Sequence, residues 1–111
     1  MSTWEEARLW CKSMGKTSHL VKIETKEEND YLKKQFGGHD SWIGLSDVER
    51  EGTFRWVDGS LVVFSHWYPG EPNNNGQNED CAQLNTSYGC NDMWNDNQCT
   101  ANTYFICERE N

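Results

Sequence analysis

Positive charge is scarce in this chain. Ten Lys and Arg stand against eighteen Asp and Glu over 111 residues, for a formal net charge of −8. No run of Lys or Arg offers a track for phosphates, and the surplus of carboxylates repels a polyanion, so no nucleic-acid partner is expected. Long apolar runs are missing as well. The longest, Leu61 to Phe64, is far too short to cross a bilayer. No C-x-x-C pair is present, which argues against a zinc ribbon or a thioredoxin-type motif. The three histidines, His19, His39 and His66, share no H-E-x-x-H spacing, and no G-x-S-x-G elbow occurs. No signal peptide is visible; Met1-Ser2 reads as the start of an excised piece, so a leader or anchor is expected outside it.

What is present points to a small extracellular domain. The length fits one compact domain over residues 1–111. Aromatic residues make up 13% and are spread along the chain, unlike a disordered acidic segment. Apolar residues reach only 35%, so the core is small and needs covalent or metal help. Five cysteines in so short a chain indicate disulfides and an oxidising compartment, with one thiol left over.

The first half carries the regular elements. Thr3 with Glu6 and Thr25 with Glu28 form two capping boxes. The spacing predicts a helix from Trp4 to Met14 with Trp4, Ala7, Cys11 and Met14 inward. A second helix is predicted from Lys26 to Phe36 with Tyr31, Leu32 and Phe36 inward, ended by Gly37-Gly38. Leu20–Ile23, Ser41–Leu45, Phe54–Val57, Leu61–Phe64 and Tyr104–Cys107 read as short strands, with an Asp58-Gly59 hairpin turn. Trp10, Trp42, Trp56, Trp67 and Trp94 read as core rather than as platforms for stacking sugars.

The stretch from Pro69 to Thr103 is rich in Asn, Asp, Gly and Glu and reads as irregular. Cys81, Trp94 and Cys99 anchor it, so disorder is not expected. Its oxygen side chains cluster as Glu71-Pro72-Asn73-Asn74, Glu79-Asp80 and Asn95-Asp96. Such hard donors suit calcium, which takes roughly six to eight oxygens; zinc and copper prefer thiols and imidazoles. A cis bond before Pro72 would let Glu71 and Asn73 face one point. Asp47-x-Glu49-x-Glu51-Gly52 faintly resembles the start of an EF-hand loop, but its flanks read as strands and Asp58 stands where a Glu belongs. Paired carboxylates also occur in glycosidases. Here they are better used as metal ligands, and an enzyme is not expected. Asn85-Thr86-Ser87 is an N-glycosylation sequon.

Taken in order and spacing, Trp42-Ile43-Gly44-Leu45, Trp56-Val57-Asp58-Gly59, Glu71-Pro72-Asn73, Glu79-Asp80-Cys81 and Trp94-Asn95-Asp96 resemble the C-type lectin domain. The resemblance runs from about Thr3 to Glu108. It implies an α+β C-type lectin-like fold, with two helices flanking small antiparallel sheets and a long calcium-binding loop region. It implies a principal Ca²⁺ site made by Glu71, Asn73, Glu79, Asn95 and Asp96, where two adjacent sugar hydroxyls complete the coordination. Asn75 falls where a secondary sugar contact often lies. An accessory Ca²⁺ site is implied at Asp47, Glu51, Asn74, Glu79 and Asp80. The Glu-Pro-Asn order is the family's mannose-type pattern, so the implied partners are glycans presenting mannose, N-acetylglucosamine, glucose or fucose. The alternative is a lectin-like domain that recognises a protein or ice, usually marked by lost calcium ligands. The resemblance also implies disulfides Cys11–Cys107 and Cys81–Cys99. It leaves Cys90 over, as a buried thiol or as the link of a homo-oligomer. The family has a strand before the first helix, whereas this chain begins almost at the helix; that strand is expected to have been cut away, replaced, or supplied by a neighbour. If Cys90 links two copies, non-reducing electrophoresis will show twice the reduced mass; equal mobility in both lanes removes that role.

Overall fold

A computed structural model describes residues 1–36, 39–48, 53–67, 81–85 and 93–109. Helix α1 spans Trp4–Ser13 and strand β1 spans Ser18–Leu20; helix α2 then covers Lys26–Phe36. Strands β2 (Ser41–Ser46), β3 (Arg55–Trp56), β4 (Cys81–Asn85), β5 (Met93–Asn97), β6 (Tyr104–Phe105) and β7 (Cys107–Arg109) follow. As the resemblance led one to expect, the architecture is α+β, with two helices and two largely antiparallel sheets; β6 pairs parallel to β2.

Both helices start where their caps predict. Thr3 accepts from the Glu6 amide and Glu6 returns to the Thr3 amide, a complete capping box. At α2 the Glu28 amide donates to Thr25 Oγ1, whereas the Glu28 carboxylate accepts from the Glu24 amide, one residue earlier than a capping box requires. Trp4, Ala7 and Cys11 are buried, but Met14 lies at the C-cap and is exposed. In α2 the inward positions are Asn29 and Leu32. Turning Asn29 inward carries Tyr31, two positions on and about 200° round the helix, into solvent. Phe36, in the final turn, is also largely exposed. Gly37-Gly38 falls outside the described residues.

Strand β2 is the axis of the larger sheet, and all six of its residues are buried. One edge pairs with β4; the other pairs with β6 through Ser41 and Trp42 and with β3 through Leu45 and Ser46. Strand β5 pairs with β4, in register from Cys81↔Asn97 to Asn85↔Met93. A separate two-stranded sheet joins β1 to β7.

The strand expectations needed correction in several places. Pairing near Leu20 covers Ser18–Leu20 instead of Leu20–Ile23, and Leu61–Phe64 is reduced to one β-bridge between Leu61 and Arg55. The Phe54–Val57 strand is shorter, at Arg55–Trp56. The final strand is split into β6 and β7, because Ile106 turns to the core and bonds Trp42 and Val21 between them. The polar stretch read as irregular holds β4 and β5. Their ladder is made of backbone bonds, which need few aliphatic side chains once Ala82, Leu84 and Trp94 are buried. The hairpin turn forms as expected, with Gly59 at φ 89° and its amide donating to the Trp56 carbonyl. Ser60 hydrogen bonds, followed by Lys22, hold the Asp58 carboxyl well down, at about 2.

Two packed clusters share β2 between them. One gathers Val21, Ile23, Leu32, Ile43, Leu45, Trp56, Ala82, Leu84, Trp94 and Ile106; the other gathers Trp4, Ala7, Cys11, Leu20, Trp42 and Cys81. Trp42, Trp56 and Trp94 are core as expected and Trp67 packs at its edge, whereas Trp10 is 62% exposed on the outer flank of α1. In place of a full first strand, Ser2 exchanges both backbone bonds with Thr103 at 3.0 Å. Cys11–Cys107 and Cys81–Cys99 are both bonded; Cys90 lies outside the described residues.

Gly44 sits at a close crossing of two backbone segments. Its amide donates to the Val21 carbonyl at 2.8 Å, and a Cβ there would meet the Leu20 carbonyl oxygen at 2.9 Å. Backbone has to move to admit a methyl, so Gly44→Ala is expected to cost about 2 kcal/mol, measured by urea unfolding.

Candidate metal and carbohydrate site

The site begins from Trp94. Its indole is fully buried and packs edge-on against Trp56, Phe64 and Trp67, with ring centroids 5.7, 5.9 and 5.7 Å away. Its Nε1–H donates to Asn29 Oδ1 on α2 at 2.8 Å, and its backbone amide donates to the His66 carbonyl at 2.8 Å. These contacts fix the position of β5 at the residue just before Asn95 and Asp96.

Asn95 lies opposite Gln83 and Asp96 opposite Ala82 in the β4–β5 ladder. Asp96 is 1% exposed and shares the inward face with Trp94, while Asn95 is half-buried. A carboxylate held so far from water needs donors or a cation around it. The Asn95 Nδ2 donates to the backbone carbonyl of Asp96 at 3.1 Å, so the side-chain amide and that carbonyl converge. Next along, Asn97 Nδ2 donates to Gln83 Oε1, and the Cys81–Cys99 bond ties the end of β5 to the start of β4.

Asp47 follows the last residue of β2 and is 3% exposed. Ser46 pairs with Cys81, and Cys81 with Asn97, so Asp47 and the Asp96 region occupy the same end of the sheet. Among the described residues no three His, Cys, Asp or Glu converge as a metal site. The remaining expected ligands, Glu71, Asn73 and Glu79, lie outside the described residues. So do Glu51, Asn74 and Asp80 of the accessory site, the sugar contact Asn75, and the Glu71-Pro72 bond. The donors that are described are oxygens on a fixed strand end, a set that fits a hard divalent cation. Asn29 is the residue that sequence reasoning missed. A polar position among the inward residues of α2 is the signal that could have found it.

The family model for the lectin C-type domain matches residues 1–109. The chain belongs to the C-type lectin domain family. It is 42% identical over 107 residues to the low affinity immunoglobulin epsilon Fc receptor of Mus musculus, covering 96% of this chain and 30% of that receptor. Across that receptor and two further C-type lectin relatives, the chain spans only 24% to 30% of their length. The mouse scavenger receptor C-type lectin carbohydrate-recognition domain superposes with a TM-score of 0.85 at 42% identity, covering 99% of this chain and 84% of that one. The cow CD23 carbohydrate-recognition domain, solved in the presence of a GlcNAc2Man3 oligosaccharide, gives 0.83 at 37% identity over 95% of this chain and 77% of that one. C-type lectin domains generally bind Ca²⁺, and the family is one of binding proteins.

Replacing Asn29 by Leu would leave the Trp94 indole N–H buried without its acceptor. Asn29→Leu is expected to lower stability by about 1–3 kcal/mol, seen as an earlier midpoint in denaturant unfolding; an unchanged midpoint would remove this anchor.

Proposed function

We propose that this C-type lectin domain binds mannose-type sugars in a calcium-dependent manner, outside the cell, and performs no catalysis. Glu71, Asn73, Glu79, Asn95 and Asp96 are the ligands of the principal ion. Bound there, the ion supplies open coordination positions to two adjacent hydroxyls of mannose, N-acetylglucosamine, glucose or fucose. The residues do the rest. Carboxylates accept from each hydroxyl and the Asn amides donate to it, so one shell satisfies both roles of a hydroxyl. Hydrogen bonds to charged partners are the stronger kind, which matters at a shallow site.

One observation carries this reading. Trp94 is locked into the core at 0% exposure, and the two residues after it are an amide and a buried carboxylate. Half a turn of the Asn95 side chain exchanges its nitrogen for its oxygen, which brings that oxygen beside the Asp96 carbonyl. Two oxygens at a rigid strand end, on residues that also bring the Asp96 carboxylate, then favour a cation. The cow CD23 domain with its mannose-containing oligosaccharide supports the sugar class. Two disulfides support an extracellular location. Asp47, with Glu51, Asn74, Glu79 and Asp80, is the proposed accessory site. Asn75 is a secondary sugar contact, and a single unit over residues 1–111 is the proposed domain. Binding to one sugar is weak in such shallow sites, so clustering of copies would raise avidity.

A glycan array run with and without chelator tests the reading: mannose-type signals are expected only with calcium. Glu71→Gln with Asn73→Asp is expected to shift preference toward galactose. Binding is expected to weaken on acidification, because the ligands hold the metal only when deprotonated. Sugar binding that survives chelator sinks the proposal.

A further inference from the structure

The few cations of this acidic chain are not evenly spread. Two clefts adjoin along one flank of α1 and share Arg8 and Val57. The first, about 340 Å³, has Arg8 and Arg55 above walls that include Trp4 and Trp56. The second, about 210 Å³, is lined by Arg8, Lys12, Lys16 and His19. Arg8 and Lys12 are four residues apart and so lie on one side of the helix. Lys16 follows just past its end.

Among the described residues, four formal cations therefore face two carboxylates, Glu5 and Asp58. Both carboxylates are already engaged. Glu5 takes the Arg8 guanidinium in a forked pair, which lowers its carboxyl from the ordinary value. Asp58 accepts from Ser60 and Lys22. Lys12 and Lys16 are exposed, and Arg55 gives one N–H to the Gly59 carbonyl while its guanidinium carries further donors. The result is a locally cationic, concave band on a protein of net charge −8.

We infer that this band binds the sulfate or carboxylate groups of an acidic glycan, at a site that does not need calcium. The geometry favours a short charged sugar over other polyanions. A membrane would need a broad exposed apolar surface beside the cations; Trp10 and Met14 lie on the opposite flank of α1 from Lys12, and Leu9 and the cleft-lining Val48, though exposed near the cations, are too few to make one. A long nucleic acid would extend beyond the band into a net acidic field, whereas an oligosaccharide can be short enough to keep most of its anions over the band.

The test uses the whole chain in the presence of chelator, so its failure leaves the calcium reading untouched. Calorimetric titration with a heparin-type sulfated octasaccharide, a polygalacturonate octasaccharide and a neutral dextran octasaccharide should show binding of one or both acidic oligomers and none of the neutral one. The tighter of the two names the source of the anion. Lys12→Glu with Lys16→Glu is expected to weaken binding by about tenfold or more and to flatten its salt dependence. Lys33→Glu with Lys34→Glu, in the last turn of α2, makes the same change in net charge and should leave affinity within about twofold. Equal weakening by the two double variants overturns the inference, since only net charge would then matter. So does tighter binding of a single-stranded octanucleotide or of phosphatidylserine vesicles than of either acidic sugar.

Discussion

The hydrogen bond from the Trp94 indole to Asn29 ties the first half of this molecule to the second at the point where the candidate site begins. It joins α2, from the regular first half, to β5, from the polar second half, inside the main apolar cluster. A buried indole N–H is expensive to leave unmade. That requirement decides which way α2 turns, and so which of its residues meet solvent. It also fixes the point from which Asn95 and Asp96 extend. A weaker anchor would leave the site's ligands on a strand with little aliphatic burial of its own.

Much of this was legible from residue order. The α1 capping box, the span of α2, the burial of Trp42, Trp56 and Trp94, and both disulfides emerged as expected. The motif series led to the right family, and among the described residues Trp42-Ile43-Gly44-Leu45 lies on β2 and Trp94-Asn95-Asp96 on β5. What failed did so for physical reasons. Periodicity placed Tyr31 inward because it counts apolar residues and ignores a polar one with a buried partner. Composition hid β4 and β5 because a ladder runs on backbone groups, and β4 buries the polar Gln83 along with Cys81, Ala82 and Leu84. Leu61–Phe64 looked like a strand by content, yet Val63 is 94% exposed and a single bridge holds the segment. Of the expected principal site, Asn95 and Asp96 were legible as neighbouring residues with oxygen-bearing side chains. Their support by Asn29 was not, since that contact spans 65 residues.

Charge is partitioned in a way that net values conceal. The carboxylates of Asp47 and Asp96, at one end of the sheet, lie deep in the fold, where the proposed calcium chemistry would use them. The cations along α1 are peripheral, and their nearest acids are already paired. One small domain can hold opposite local potentials because screening limits each to its own neighbourhood.

The two ends of the described chain are stitched together twice. Ser2 bonds Thr103 through the backbone, and Cys11 is bonded to Cys107 across a separation of 96 residues. Tension applied between the termini would therefore open a short zipper of hydrogen bonds and then meet a covalent stop. Little of that force would reach β5, so a cell or particle tugging on a tether could load this module without unseating the strand that carries Asn95 and Asp96.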